Sequence, residues 1–242
     1  MEPDVDPVAE AAKLPLSERT SHKNWKVREA AYHELTDKFN VAPEDSKIYT
    51  DFVAALPKIA RDANAPAQLI GFEAIAKFAD TAPPPLVKRV ATDVVMGIVD
   101  KGLAGRPLNK SKVIDAFLMF VGADAGDVAV ETMAANGFKH RTPKVVSASV
   151  DSILQALSTY GSSAVPILAI TTKLPPLFGH SQETVRNAAK ALVIELHRWI
   201  GDKDKVVVKN AKEVTVKEVE AAFEANAKHR KPKPKKLTRA ME

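Results

Sequence analysis

The sequence predicts an all-α protein built from stacked helix pairs. Three observations carry the prediction. Apolar residues recur at three- and four-residue spacing from Leu14 to about Ala227, and the alternating Val, Ile and Thr of strands bounded by hairpin turns are missing. Breakers divide this pattern into roughly a dozen segments, most too short to be stable helices alone in water. A small motif, Val followed three residues later by a small residue, returns along the chain as Val27/Ala30, Val113/Ala116, Val145/Ala148, Val185/Ala188 and Val219/Ala222, with Gln68/Gly71 as a degenerate sixth copy.

In chain order, residues 1–12 are acidic and lack an apolar core, and are expected to be a flexible leader. Leu14-Pro15-Leu16-Ser17 opens the helical pattern. Ala42-Pro43, Asn64-Ala65-Pro66, Pro83-Pro84-Pro85, Gly105-Arg106-Pro107 and Gly122 punctuate its first half. Thr142-Pro143 reads as a capping residue followed by Pro at the first helical position. Gly161, Pro175-Pro176 and Gly201 punctuate the second half. Ser181 with Glu183 reads as a further helix start, and Ser111 and Thr215 as two more. Val206-Val207-Val208 is too short to bring a sheet with it. The repeat body is expected over 13–229 and a basic Lys/Pro linker over 230–242.

The motif positions 27, 68, 113, 145, 185 and 219 give steps of 41, 45, 32, 40 and 34 residues. Steps near 40 with two helices each match HEAT-type repeats, and six of them make an α-solenoid. Val27-Arg28-Glu29-Ala30-Ala31 and Val185-Arg186-Asn187-Ala188-Ala189 resemble the second-helix signature of that repeat. In such a stack every within-pair turn lies on one edge. Aligned on the Val position, Lys26, Lys112 and Lys144 precede it in three repeats, where Ala67, Thr184 and Glu218 stand in the others. Lys110 lies two residues further up its turn, and Arg186 follows its Val. Trp25 has two readings: a plug buried at the start of its helix, or the tip of a polar turn formed with Lys23, Asn24 and Lys26. Trp199 is read as core. Of the equivalent pair Arg28 and Arg186, Arg28 is expected to be structural, paired to an acid of a neighbouring repeat.

Other chemistries find little support. There is no cysteine, which removes disulfides and thiolate sites together. The N-terminus is not a secretory signal, and no apolar run approaches the roughly 18 residues of a membrane span. The six His are scattered and none has metal-ligand spacing. No Gly-rich phosphate loop is present. No catalytic residue, metal, cofactor or small-molecule substrate is therefore expected, and an enzyme is not. The pI of about 9.2 invites a nucleic-acid reading. From Lys228 to Glu242, however, there are seven Lys/Arg and one acid. Subtraction from 35 and 30 leaves 28 basic against 29 acidic residues, a net −1 for the body. The excess belongs to the tail, where Lys231-Pro232-Lys233-Pro234-Lys235-Lys236 favours an extended, solvated chain.

Leu14-Pro15-Leu16-Ser17-Glu18-Arg19, His22-Lys23-Asn24-Trp25-Lys26-Val27-Arg28 and Tyr32 closely resemble the opening of the first TOG domain of the microtubule polymerase family. Asp62-Ala63-Asn64-Ala65 resembles the second TOG turn, Arg106-Pro107-Leu108-Asn109-Lys110 the third, and Phe138 to Val146 the fourth. Thr184 to Lys190, with Arg198-Trp199-Ile200, resembles the fifth turn and its helix. The resemblance covers about residues 13–227. It implies a flat paddle of six HEAT repeats, probing a curved αβ-tubulin heterodimer with its within-repeat turns. It implies that Trp25 and its neighbours Asn24, Lys26 and Ala65 contact β-tubulin. It further implies that Asn109, Lys110, Lys112 and Lys144 contribute along the edge, Lys110 and Lys144 pairing with tubulin acids. Arg186 and Lys190 would anchor on α-tubulin. Ala65 stands where a larger aliphatic is common, and Asn109 replaces a frequent Thr. The family implies a monomeric domain and a place in the cytoplasm at microtubule plus ends and spindle poles or centrosomes, with no membrane partner. Two alternatives stay open: a general HEAT scaffold for another acidic protein, and nucleic-acid binding through the tail.

Overall fold

The computed structural model describes residues 6–105, 107–201, 208, 211–227 and 232–241. Among them there are thirteen α-helices and no strand. The chain forms two compact units, Met1–Met119 and Phe120–Glu242.

The first unit holds α1 (Pro7–Ala11), α2 (Leu16–Arg19), α3 (Trp25–Val41), α4 (Lys47–Phe52), α5 (Leu56–Ala60), α6 (Ala65–Thr81), α7 (Pro84–Gly97) and most of α8 (Pro107–Phe120). The long helices α3, α6 and α8 are the second members of their pairs. The first members of the first two pairs are broken into short helices around Pro15 and Pro57, whereas α7, the first member of the third pair, runs 14 residues. α3 packs along α6. Gly71 makes the close approach of α5 to α6 possible: a Cβ there would stand 2.7 Å from Ile59 Cγ2. The core shared by α3, α4 and α6 is aromatic. Phe39 stacks on Tyr49 at 5.6 Å between centroids, and Phe78 meets both edge-on. Each such fully buried side chain stabilises the fold by roughly 1.5–3 kcal/mol.

The second unit holds α9 (Gly126–Gly137), α10 (Pro143–Tyr160), α11 (Ile167–Thr171), α12 (Glu183–Ile200) and α13 (Glu213–Ala227). A π-turn over Val121–Ala125 precedes α9, with Asp124 in the left-handed region at φ 61°. α10 packs on α12 and α12 on α13. Ile153, Leu157, Leu192 and Leu196 are all buried in this unit, and His197 stacks on Phe223 at 3.9 Å. Each unit therefore has the layered helix pairs of a HEAT-like α-solenoid.

Five expectations need correction. Residues 6–12 are not a frayed leader: Asp6 caps α1 by accepting from the Val8 N–H, and Ala11 is buried. Ser111 and Thr215 are not helix starts, because α8 and α13 open earlier, at Pro107 and Glu213. Ser181 is one residue early, since α12 is capped at Gln182. Trp199 is half-buried rather than core, its indole N–H donating to Glu195 at 2.9 Å. The tail is not solvated throughout. The Lys235 and Lys236 N–H groups both donate to the Thr159 carbonyl, at 2.8 and 3.0 Å, and Thr238 is 3% exposed. Residues 1–5, 106, 202–207, 209–210, 228–231 and 242 lie outside the described residues, and with them the parts of the leader, the third turn, the Val206–Val208 run and the linker that fall there.

Candidate functional site

Four helix-opening turns share one construction. The residue two before each N-cap accepts from the N-cap N–H: His22 Nδ1 from Asn24 at 3.1 Å, Asp62 Oδ1 from Asn64 at 2.9 Å, His140 Nδ1 from Thr142 at 3.0 Å and His180 Nδ1 from Gln182 at 3.1 Å. These bonds satisfy an N–H that the helix itself leaves unpaired and fix the entry of the chain. In three of them, a long side chain four residues beyond the cap reaches back over the turn. Arg28 donates to the His22 carbonyl at 2.8 Å, Gln68 to the Asp62 carbonyl at 3.1 Å and Arg186 to the His180 carbonyl at 2.8 Å. The first two helical residues are left at the tip of each turn. They are Trp25 and Lys26, Ala65 and Pro66, Pro143 and Lys144, and Glu183 and Thr184.

In the first turn, Asn24 caps α3 by accepting from the Lys26 N–H at 3.0 Å. Trp25, the first helical residue, is half-buried, and Lys26 is exposed with no ion pair among the described residues. Arg28 ties this turn to the second one. Its Nε and Nη2 reach Asp62 Oδ2 and Oδ1 at 2.7 and 2.8 Å, while Nη1 also meets the Lys23 carbonyl. Tyr32 donates to Asp62 Oδ2 at 3.0 Å. The Asp62 side chain is only 2% exposed. Burial pushes its carboxyl up, but the hydrogen bonds from Arg28, the Asn64 N–H and Tyr32 outweigh burial and hold it below its ordinary value. Hydrogen bonding to Asp62 raises the Arg28 guanidinium in turn, against burial. Burial, with the Asp62 charge, raises the Tyr32 phenol, which stays neutral. Arg28 thus has the structural role expected of it.

Arg186 differs. Its Nη1 bridges the His180 and Ser181 carbonyls, both at 2.8 Å, and no carboxylate pairs with it among the described residues. It lines a hollow with His180, Ser181, Lys190, Lys212 and Glu218. Lys190 is paired there to Glu218 at 2.9 Å. In the fourth turn Lys144 is exposed.

The third turn is built differently. Asn109 is 5% exposed and donates from Nδ2 to the Ala65 carbonyl at 2.9 Å. Its side chain links α8 to the second turn. Lys110 is half-buried with no ion pair among the described residues. Lys112 is exposed and bridges to Glu73 at 3.1 Å. The structure also moves one repeat by a residue. Gln68 is the counterpart of Arg28, so Ala67, fully buried, fills the place of Val27. The reading from sequence missed the turn roles of His22, His140 and His180. All three stand five residues before a motif Val, and that spacing was the available signal.

Comparison with known proteins gives this architecture a family. A family model described as the TOG domain of XMAP215/Dis1/CLASP matches residues 10–223. The chain is 38% identical over 217 residues to protein MOR1 of Arabidopsis thaliana, covering 88% of this chain and 11% of that one. It is 34% identical over 218 residues to protein mini spindles of Drosophila melanogaster, covering 89% and 10%. The chain thus spans about a tenth of the length of these relatives. Among solved structures, one concerned with tubulin recruitment and assembly by microtubule polymerases with TOG domain arrays superposes with a TM-score of 0.79 at 22% identity, covering 91% of this chain and 48% of that one. Drosophila melanogaster Mini spindles TOG3 superposes with a TM-score of 0.76 at 17% identity, covering 92% and 99%. The matched model takes in the capped turns of both units, and the chain belongs to the XMAP215/Dis1/CLASP TOG-domain family.

Proposed function

We propose that this chain binds the αβ-tubulin heterodimer through its helix-opening turns, as a non-enzymatic part of a microtubule polymerase. The observation that carries the reading is the first turn. A half-buried Trp25 stands at the first helical position beside an exposed Lys26, on a turn fixed by the bidentate Arg28–Asp62 pair. An aromatic residue held in advance loses little entropy on binding, and Trp and Arg are the residue types most often dominant in interfaces. The first unit supplies Asn24, Trp25, Lys26, Ala65 and Lys110 to β-tubulin. The second supplies Lys144, Arg186 and Lys190 to α-tubulin. Lys112 and Lys190 must exchange Glu73 and Glu218 for tubulin carboxylates, so their contribution is the smaller. Asn109 supports the second turn from behind.

The domain acts as a monomer by differential affinity: it holds curved free tubulin and releases it as the dimer straightens in the lattice, since a ligand is retained only by the conformation that it fits better. The site of action is the cytoplasmic microtubule cytoskeleton, at plus ends and spindle poles. Neither a membrane nor a nucleic acid is a partner, and no cofactor takes part. Sizing chromatography with purified tubulin tests the reading. A 1:1 complex at micromolar concentration is expected. Separate elution would return the two alternatives, a HEAT scaffold for another acidic protein and nucleic-acid binding through the tail.

A further inference from the structure

The Lys/Pro composition of the tail gives no hint of what Pro232–Met241 does in the fold. It lies across the end of the second unit. Pro234 sits against Gly161, where an added Cβ would come within 3.1 Å of its ring and 2.8 Å of Trp199. Two N–H groups, of Lys235 and Lys236, converge on the Thr159 carbonyl near the C-terminal end of α10. Three residues further on, Thr238 is 3% exposed, and a short 3-10 turn over Arg239–Met241 follows. Thr238 and Met241 help line a groove whose other walls include Asp124, Asp127, Val165 and Pro166.

We propose that this strap is a latch, and that Thr238 is its catch and a phosphorylation site for a Ser/Thr kinase that selects basic residues. Three independent features converge on Thr238. Lys235 and Lys236 stand three and two residues before it and Arg239 directly after it, and both lysines are exposed. A kinase with an acidic cleft recognises that charge pattern. The hydroxyl is enclosed, so whatever changes it changes the docking. The groove wall carries two carboxylates. The step is ordinary phosphoryl transfer. Thr238 Oγ attacks the γ-phosphorus of ATP, the bond from that phosphorus to the bridging oxygen breaks, ADP leaves with the electron pair, and the hydroxyl proton passes to the kinase.

Release follows from charge. A phosphothreonine carries about −1.5 to −2 charges, and it cannot return to its enclosed place in a groove that also holds the Asp124 carboxylate without desolvation and like-charge repulsion. The kinase reaches Thr238 during local opening of this short strap. The strap lies at the C-terminal ends of α10 and α12, whereas the turns of this unit lie at their N-terminal ends. Along α10 that separation is about 27 Å. The latch therefore controls whether the strap stays docked, independently of the turns.

The test uses the full chain, the catalytic subunit of a basic-directed Ser/Thr kinase and Mg-ATP. Mass spectrometry locates the phosphate, and hydrogen exchange follows the Lys235 and Lys236 amides. Expected are incorporation at Thr238 and at least tenfold faster exchange at both amides, with the α10 and α12 amides unchanged. Thr238→Val, close in shape, should block incorporation and keep protection. Thr238→Glu should lose protection without the kinase. No incorporation at Thr238, or phosphate there with both amides still protected, would overturn the proposal.

Discussion

Arg28 and Arg186 hold their turns with the same back-reaching bond, and a single neighbour separates their roles. Arg28 faces Asp62, whose side chain is enclosed; Arg186 faces no carboxylate among the described residues. Arg28→Ala would leave a charge buried without its partner, a change that costs about 3–5 kcal/mol in comparable pairs. Denaturant titration should read a loss of that order. The same carboxylate sets an acid limit. Its folded pKa lies below the ordinary 3.8, so its contribution is complete above that pH and is lost as pH falls through the folded value. Melting temperature measured from about pH 6 down to pH 3 should fall in wild type. Asp62→Asn should start lower and fall less. If both curves keep the same slope, Asp62 is not the group that titrates. The Arg28 role was legible in sequence because the repeat alignment paired it with Arg186 and its own turn already carried Lys26. The role of Asp62 was not. It stands where the other three turns carry His, and a backbone N–H donates equally well to an imidazole nitrogen or a carboxylate oxygen.

At the level of elements, what the sequence conveyed well was the helix faces, because burial imposes their periodicity. It conveyed helix starts less well. Ser111 and Thr215 look like caps, yet α8 and α13 each begin six residues before their motif Val instead of two. A cap residue inside a helix simply points elsewhere. The tail was read from composition as solvated, and composition cannot report two backbone N–H groups meeting one carbonyl. Two substitutions probe these elements. Gly161 has φ 81° and ψ 179°, a region open essentially to Gly alone. Gly161→Ala should cost roughly 1–3 kcal/mol from the backbone alone, with more from the contact with Trp199. It should also raise hydrogen exchange at Lys235 and Lys236. Unchanged stability would mean that the turn takes another shape in solution. Asn109→Ala removes the bond to the Ala65 carbonyl and should cost about 1 kcal/mol. Because its side chain is enclosed, tubulin affinity should stay within about twofold, within the scatter expected of a non-contact position. A tenfold loss would return Asn109 to the contact surface.

For the molecule as a whole, the question is whether the two units serve one ligand. Trp25 belongs to the first unit and Arg186 to the second. If each reads a different subunit of one heterodimer, their losses should add as free energies, since substitutions far apart with no shared partner are usually independent. Trp25→Ala and Arg186→Ala should each weaken binding by about 2 kcal/mol, or roughly 30-fold, and the double variant by roughly a thousandfold. Calorimetric titration of curved, assembly-blocked tubulin would measure all four combinations. Melting temperature gives the control. Trp25→Ala should leave it unchanged, while Arg186→Ala should lower it slightly, because two turn carbonyls lose their donor. A large drop for Trp25→Ala would mean that the indole plugs its helix. A double variant no weaker than either single one would mean that the two turns never engage the same heterodimer together, and the units would then be separate binding modules that share one chain.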